Sequence, residues 1–265
     1  MKKKGIFVLA MMLLFIFPLF VNAEKQNDEF DESTAKLVSE TKKYLKTVNV
    51  YEKVVEDSYG NIASADLVSS DTYELTKDEW DRVDLDNTRV TRGSTTIETT
   101  YKLMTTSLYY NNGTYRYKNQ LNWLNFPAIR SYDVIGIGHY NTVTPNSTPT
   151  CYVDYTTASG MHYTNYWCYQ QSFTSGESGV ILLPAQNLQS LGIMFYFDAK
   201  KVNPSSTIYS QGAYGDYAHG ITSSVTLSNA INHVVNGSLG IVHDSSVFSK
   251  FDTINEAMVL WNGTW

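Results

Sequence analysis

Residues 94–124 read STTIETTYKLMTTSLYYNNGTYRYKNQLNWL. Asn112-Gly113 is the strongest short-range signal for a two-residue type I′ turn, because both central residues of that turn need positive φ. A turn there sets Tyr110 opposite Tyr115, Leu108 opposite Tyr117 and Met104 opposite Leu121. The other face then pairs Tyr109 with Arg116, Ser107 with Lys118 and Thr105 with Gln120. One face is apolar and the other polar, and a slip of one residue would mix them. The stretch is therefore predicted to be a half-buried antiparallel hairpin, with Tyr115 and Tyr117 on its core face.

The same texture extends toward the C-terminus. Tyr, Thr, Val, Ile and Trp are frequent, and turn dipeptides punctuate the runs. Further strands are predicted in SYDVIGIGHYNTV (131–143), GVILLP (179–184), LGIMFYFDA (191–199), SSVTLSNAINHVV (223–235) and EAMVLW (256–261). Short strands with few helices imply a mainly β chain built as an antiparallel β-sandwich. Toward the N-terminus the texture changes. Residues 24–48 are charged and lack Gly and Pro, and Leu37, Tyr44, Leu45 and Val48 fall near helical spacing, which predicts a helix over 32–47. Thr76-Lys77-Asp78-Glu79 fits a capping box and predicts a second, short helix. The expected organisation is a leader at 1–23, a helical and connecting segment at 24–87 and a β-sandwich domain at 88–265.

The leader carries Lys2, Lys3 and Lys4, an apolar run from Gly5 to Val21, and Val21-Asn22-Ala23. This is the layout of a secretory signal peptide, with cleavage before Glu24. Cleavage removes three lysines and no acid, which leaves 17 basic against 26 acidic groups and a net charge of −9. A chain so acidic repels phosphate backbones and anionic headgroups, so no nucleic-acid partner is expected. No other segment has the run of about 18 apolar residues that spans a bilayer, so no membrane span is expected after cleavage. The expected localisation is secreted, outside the cell.

CYVDYTTASGMHYTNYWC, residues 151–168, holds the two cysteines of the chain. A two-residue turn at Ser159-Gly160 would set Cys151 directly opposite Cys168, at a non-hydrogen-bonded position where Cα atoms approach to about 4.5 Å. That separation suits a disulfide, and an exported chain oxidises matched cysteines. The same register pairs Tyr152 with Trp167, Val153 with Tyr166 and Asp154 with Asn165. A structural zinc site wants four ligands in close-spaced pairs, and a redox motif wants Cys-x-x-Cys. Neither spacing is present, so the expected role of Cys151 and Cys168 is a covalent staple.

Gly176-Glu177-Ser178-Gly179 resembles the Gly-Asp-Ser-Gly core around the nucleophile of trypsin-like serine proteases. That resemblance implies Ser178 as the nucleophile of a secreted hydrolase. Against it, Val180 stands where that family carries a second glycine, and the first histidine is His139, late in the chain. A Gly/Ser loop is the simpler reading of the stretch. The histidines are His139, His162, His219, His233 and His243, and none has tight metal spacing. Asp133 and His139 share a face of one strand but lie too far apart to touch. Asp216 and His219 fall in QGAYGDYAHG (211–220), read as a loop leading into a strand. With no phosphate loop and no dinucleotide fingerprint, no cofactor and no metal is expected. Tyrosine rows on a sandwich can stack on sugar rings, so a glycan is a candidate ligand. The sequons at Asn112, Asn146, Asn236 and Asn262 are read as carrying no glycan.

SYDVIGIGHY and GAYGDYAHG, together with the leader, resemble a group of secreted proteins from Gram-positive bacteria. The resemblance implies export and β structure, and it assigns no functional residue. The leading expectation is a secreted, non-enzymatic β-sandwich that binds a ligand outside the cell or at the envelope. The hydrolase with Ser178 is one alternative. A β-pore-forming toxin is another, because ITSSVTLSNAINHVVNGSLGIV (221–242) alternates loosely, although Asn229, His233 and Asn236 interrupt it.

Overall fold

The computed structural model describes residues 30–173, 175–233 and 250–262. The expected leader, His243 and the sequon at Asn236 lie outside these residues. The described chain forms two antiparallel sheets. The large one runs in the order β2(Ile62–Leu75), β1(Lys36–Glu56), β4(Thr95–Asn111), β5(Thr114–Trp123), β12(Leu188–Lys201), β8(Thr150–Thr157), β9(His162–Asn165). Off that path, β3(Arg89–Arg92) pairs with β4, and β7(Val143–Pro145) pairs with β12. The small sheet runs β10(Tyr169–Phe173), β11(Gly176–Leu182), β6(Tyr132–His139), β13(Ser210–Gly220), β14(Phe251–Asn262). Two short helices, α1(Lys77–Trp80) and α2(Leu227–His233), complete the described elements.

The hairpin that opened the analysis is β4 and β5. Tyr110 pairs with Tyr115, Leu108 with Tyr117 and Met104 with Leu121, in the predicted register. Asn112 (φ 47) and Gly113 (φ 85) supply the two positive φ values that a type I′ turn demands. Met104, Leu108, Tyr115, Tyr117 and Leu121 are fully buried. They meet Phe195 and Phe197 of β12 and Ile135, Ile181, Ala213 and Tyr217 of the small sheet in one core. Tyr117 stacks on Phe197, centroid to centroid at 5.2 Å and nearly parallel.

The expected helix over 32–47 is absent. Lys36–Glu56 is instead a strand that pairs with β4 along most of its length. Its inward positions are Leu45, Thr47, Asn49 and Tyr51, all buried. The period of two was hidden because two of the four inward residues are polar. They find partners on the neighbouring strand β2: Thr47 Oγ1 meets Thr72 Oγ1 at 2.9 Å, and Ser70 donates to Asn49 Oδ1 at 2.7 Å. The short helix does form. Thr76 caps it, with the Glu79 carboxylate returning to the Thr76 N–H at 2.7 Å.

Other readings change. Residues 211–220, read as a loop, are part of β13, buried along nearly all its length between β6 and β14. Glycine here marks close approach, not a turn. A Cβ on Gly215 would lie 1.9 Å from Thr106 Oγ1 of the facing sheet, so only a bare backbone fits. The Gly/Ser stretch at 176–180 is likewise strand β11. The described part of the strand expected over 223–235 forms no strand; it holds α2, whose Leu227, Ala230 and Ile231 pack on Val134, Val180 and Ala218. Thr226 caps it, accepting from the Asn229 N–H at 3.2 Å while Asn229 Oδ1 accepts from the Thr226 N–H at 3.1 Å. The described part of the supposed membrane hairpin, residues 221–233, is thus a turn followed by a helix, and residues 234–242 lie outside the description.

The cysteine hairpin exists with a shifted register. Val153 pairs with Asn165, Asp154 with Thr164, Tyr155 with Tyr163 and Thr156 with His162. The loop has three residues, with Gly160 at φ 84 and Thr157 bonded to Met161 at 2.9 Å. A type I turn closed by a left-handed glycine fits this loop. Three cross-strand contacts favour the shifted ladder. The Tyr155 and Tyr163 rings stack at 5.3 Å, and Asp154 Oδ1 meets Thr164 Oγ1 and His162 Nε2, each at 2.9 Å. Cys168 therefore lies past the end of β9 and not across the ladder from Cys151.

Candidate functional site

Glycine in the middle of a strand leaves a gap in the surface of its sheet. Gly192 does this on the outer face of the large sheet. It pairs with Asn122 on one side and Asp154 on the other, and Asp154 in turn pairs with Thr164. The next row outward on that face is Gln120, Met194 and Tyr152. These residues, with Tyr166, line a cleft of about 340 Å³ whose floor is Gly192. The Tyr152 and Tyr166 rings stand 5.3 Å apart and tilted by 51°, forming one wall. Burial pushes the Tyr152 phenol up to about 12, with Tyr196 adding to the shift, so it stays a neutral donor at ordinary pH. Gln120 Nε2 donates to Asn122 Oδ1 at 3.3 Å. The cleft thus combines aromatic faces with two amides, three hydroxyls and a carboxylate. Such a set binds a polar ligand by stacking and hydrogen bonds.

A second polar cluster lies inside the sandwich. Lys102 of β4 and Asp252 of β14 form an ion pair across the two sheets, with side chains 0% and 1% exposed. The Lys102 ammonium also sits over the rings of Trp123 and Tyr217, at 5.0 and 5.6 Å from their centroids. Asp252 Oδ1 accepts the His219 backbone N–H at 3.1 Å. Asp133 Oδ1 accepts from His219 Nδ1 at 2.8 Å and from the Gly220 N–H at 3.2 Å, and the Tyr217 hydroxyl donates to Asp133 Oδ2. Burial, and then Asp133, push the Tyr217 phenol well above its ordinary range. Close by, Glu98 is held above the usual glutamate range, chiefly by burial.

The candidates named from sequence separate as follows. Asp133 and His139 do not meet, as expected from their distance along β6. Asp133 meets His219 instead, because β13 lies beside β6 with His219 opposite Asp133. His139 is buried against both rings of the Tyr117–Phe197 stack, and burial lowers its pKa. His162 is exposed beside Asp154 at the rim of the β8–β9 hairpin. Asp216 is buried in β13. Ser178 is buried on β11, and its hydroxyl has no hydrogen-bond partner among the described residues. Lys102, Asp252 and Glu98 were missed. The signal lay on the even face of residues 96–110, which turns polar at Lys102, Thr100, Glu98 and Thr96 while remaining buried.

Cys151 and Cys168 meet where the chain crosses from β9 to the small sheet. A Cβ on Gly179 would lie 2.4 Å from Cys168 Sγ and 2.9 Å from Cys151 Sγ. The two sulfurs thus share the space that Gly179 leaves open. Burial raises the Cys151 thiol pKa well above its usual value, and the Cys168 sulfur adds to the shift. Gly179 had been read within a nucleophile motif, and its bare backbone serves the sulfur pair.

No protein-family description and no curated protein matches this chain. Solved structures similar to it include the C-terminal domain of the AgI/II polypeptide BspA of Streptococcus agalactiae, at 7% identity over 84% of this chain and 85% of that one, TM-score 0.33. The major pilin SpaD of Corynebacterium diphtheriae is 6% identical over 90% of this chain and 62% of that one, TM-score 0.34. The collagen-binding domain of the Erysipelothrix rhusiopathiae surface protein RspB is 6% identical over 86% and 85%, TM-score 0.30. Likenesses at this level carry no argument for ligand or activity.

Proposed function

We propose that this chain is a secreted, non-enzymatic β-sandwich that binds a carbohydrate of its extracellular or envelope surroundings in the Gly192 cleft. The cleft carries the reading. Sugar rings present apolar C–H faces that suit Tyr152 and Tyr166, and hydroxyls that suit Asn122, Gln120, Thr164 and Asp154. The leader-like start supports action outside the cell. The test is a glycan array and solubilised peptidoglycan, followed by titration of the best binder. Tyr152→Ala and Gly192→Val should each weaken binding at least about tenfold, roughly 1.4 kcal/mol. Gly192→Val fills the floor, where a Cβ has only the Asn122 side chain at 3.2 Å and ordinary contacts around it, so the fold should survive. No retained sugar across the panel, or a Gly192→Val protein that binds like the parent, would sink the reading.

In the same reading Cys151 and Cys168 are joined as a disulfide in the exported protein. Their convergence over Gly179 supports this, as does an oxidising destination. The bond would tie β8 of the large sheet to the strand entering the small one.

A further inference from the structure

The Lys102–Asp252 contact is an odd place for an ion pair. Both side chains are fully removed from water, and the pair joins residues 150 positions apart, one in each sheet. In this dry site the pair has lost its hydration, the term that in water favours two separate charges over a neutral amine and acid. Moving one proton along the contact, from Lys102 Nζ to Asp252 Oδ2, turns the pair into an amine and a carboxylic acid. Those are the two partners of an amide condensation. The other carboxyl oxygen, Oδ1, already accepts the His219 N–H at 3.1 Å, so a fixed donor polarises the carbonyl that would be attacked.

We propose that Lys102 and Asp252 condense into an intramolecular isopeptide bond that locks the two sheets together. The Nζ lone pair attacks Cγ of Asp252. Negative charge develops on Oδ1, where the His219 N–H receives it. The Nζ–Cγ bond forms, a second proton passes from Nζ to the Oδ2 hydroxyl, and the Cγ–Oδ2 bond breaks to release one water. The product is an amide whose carbonyl oxygen is Oδ1 and whose nitrogen keeps one hydrogen. Nothing is oxidised or reduced, and no co-reactant is needed. Folding holds the reacting atoms in contact and so supplies the effective concentration that free amines and acids lack. The dry interior disfavours the return of water for hydrolysis. Tyr217 and Trp123 wall the pocket, Asp133 holds the Tyr217 hydroxyl, and all three act as positioning residues.

The experiment is intact mass of the folded full chain, after denaturation, full reduction and capping of both thiols. The expected mass is one water below that of the unlinked, capped chain. A protease digest should yield a branched peptide joining Lys102 to Asp252. Asp252→Asn should release ammonia instead and reach the same final mass as the parent. Lys102→Arg should keep its full mass. An unshifted parent mass with both peptides linear overturns the proposal, and so does a water loss that survives Lys102→Arg, since a succinimide formed at an aspartate elsewhere also costs one water. If either variant fails to fold, the branched peptide of the parent decides alone.

Discussion

Gly179 shows how tightly the molecule is assembled from within. At Gly179 the space a methyl group would need is already filled by two sulfurs. Gly179→Ala should therefore cost about 1–3 kcal/mol by overpacking, read as a lowered urea midpoint with unchanged slope. An unaltered midpoint would mean that the sulfurs do not occupy that space. The thiols themselves are checked by labelling the exported protein, denatured but not reduced. No thiol should react, and replacing both cysteines with serine should cost about 3 kcal/mol for a loop this short. Two reactive thiols per chain would remove the staple. Glu98 argues a pH dependence. Its carboxyl is held above the ordinary glutamate value of about 4.5, chiefly by burial, with the Ala128 N–H pulling the other way. A carboxyl whose folded pKa is raised contributes stability below its unfolded pKa, and that stability is lost as pH rises through the folded value. The slope is about 1.4 kcal/mol per pH unit within that window. Glu98→Gln keeps a carbonyl for the Ala128 N–H and removes the titration. It should be more stable than the parent at neutral pH and flatter above pH 4.5 in chemical melts, and a parent-like profile would refute the assignment. His139 works in the opposite sense. Burial lowers its pKa below 6.5, so its contribution is lost as pH falls below that value.

Among the elements, β13 governs how closely the sheets approach. Gly215 faces Thr106 and Asn119 with no room for a Cβ. Asn119 donates to the Gly136 and Asp216 carbonyls at 3.2 and 3.1 Å and so bridges from β5 to two strands of the small sheet. Gly215→Ala should push the sheets apart there and cost about 3 kcal/mol or slightly more, at the upper end for overpacking. Thermal melting should register this, and hydrogen exchange should quicken in β6 and β13. A change under about 0.5 kcal/mol would contradict the close approach, since that is the size of an ordinary surface effect. The β4–β5 hairpin needed no such help from the rest of the fold. Its turn residues and its alternation agree, and its register was legible from residues 104–121. The β8–β9 hairpin was legible as a hairpin but not in register, because a glycine at the third loop position competes with a two-residue turn. Cross-strand contacts among Asp154, His162, Thr164, Tyr155 and Tyr163 accompany the shifted choice.

For the whole molecule, the sandwich interior has two halves. One is apolar and runs from Met104 through Phe197 to Ala213. The other is polar and holds Thr47, Asn49, Glu98, Lys102 and Asp252. Taken with the proposed staple at Cys151–Cys168, the proposed link at Lys102–Asp252 would give two covalent ties between the sheets. A chain so tied should resist denaturant in two steps. Reduction should lower the midpoint modestly, and only loss of the Lys102 link should lower it further. By itself, the sequence determined what rests on neighbours a few residues away: the β class, the Asn112-Gly113 turn and the capped helix at 77–80. Tertiary structure alone decided the rest. Inward Thr, Asn, Glu and Lys look like solvent-facing residues until another strand supplies their partners, which is why β1 read as a helix and why Lys102 and Asp252 went unseen. Glycines 179, 192, 212 and 215 look like turn formers until a second surface, or a cleft, occupies the space beside them. Asp133 and His219 became partners because β6 and β13 pair, a choice made by the packing of two whole sheets and by nothing within reach of either residue along the chain.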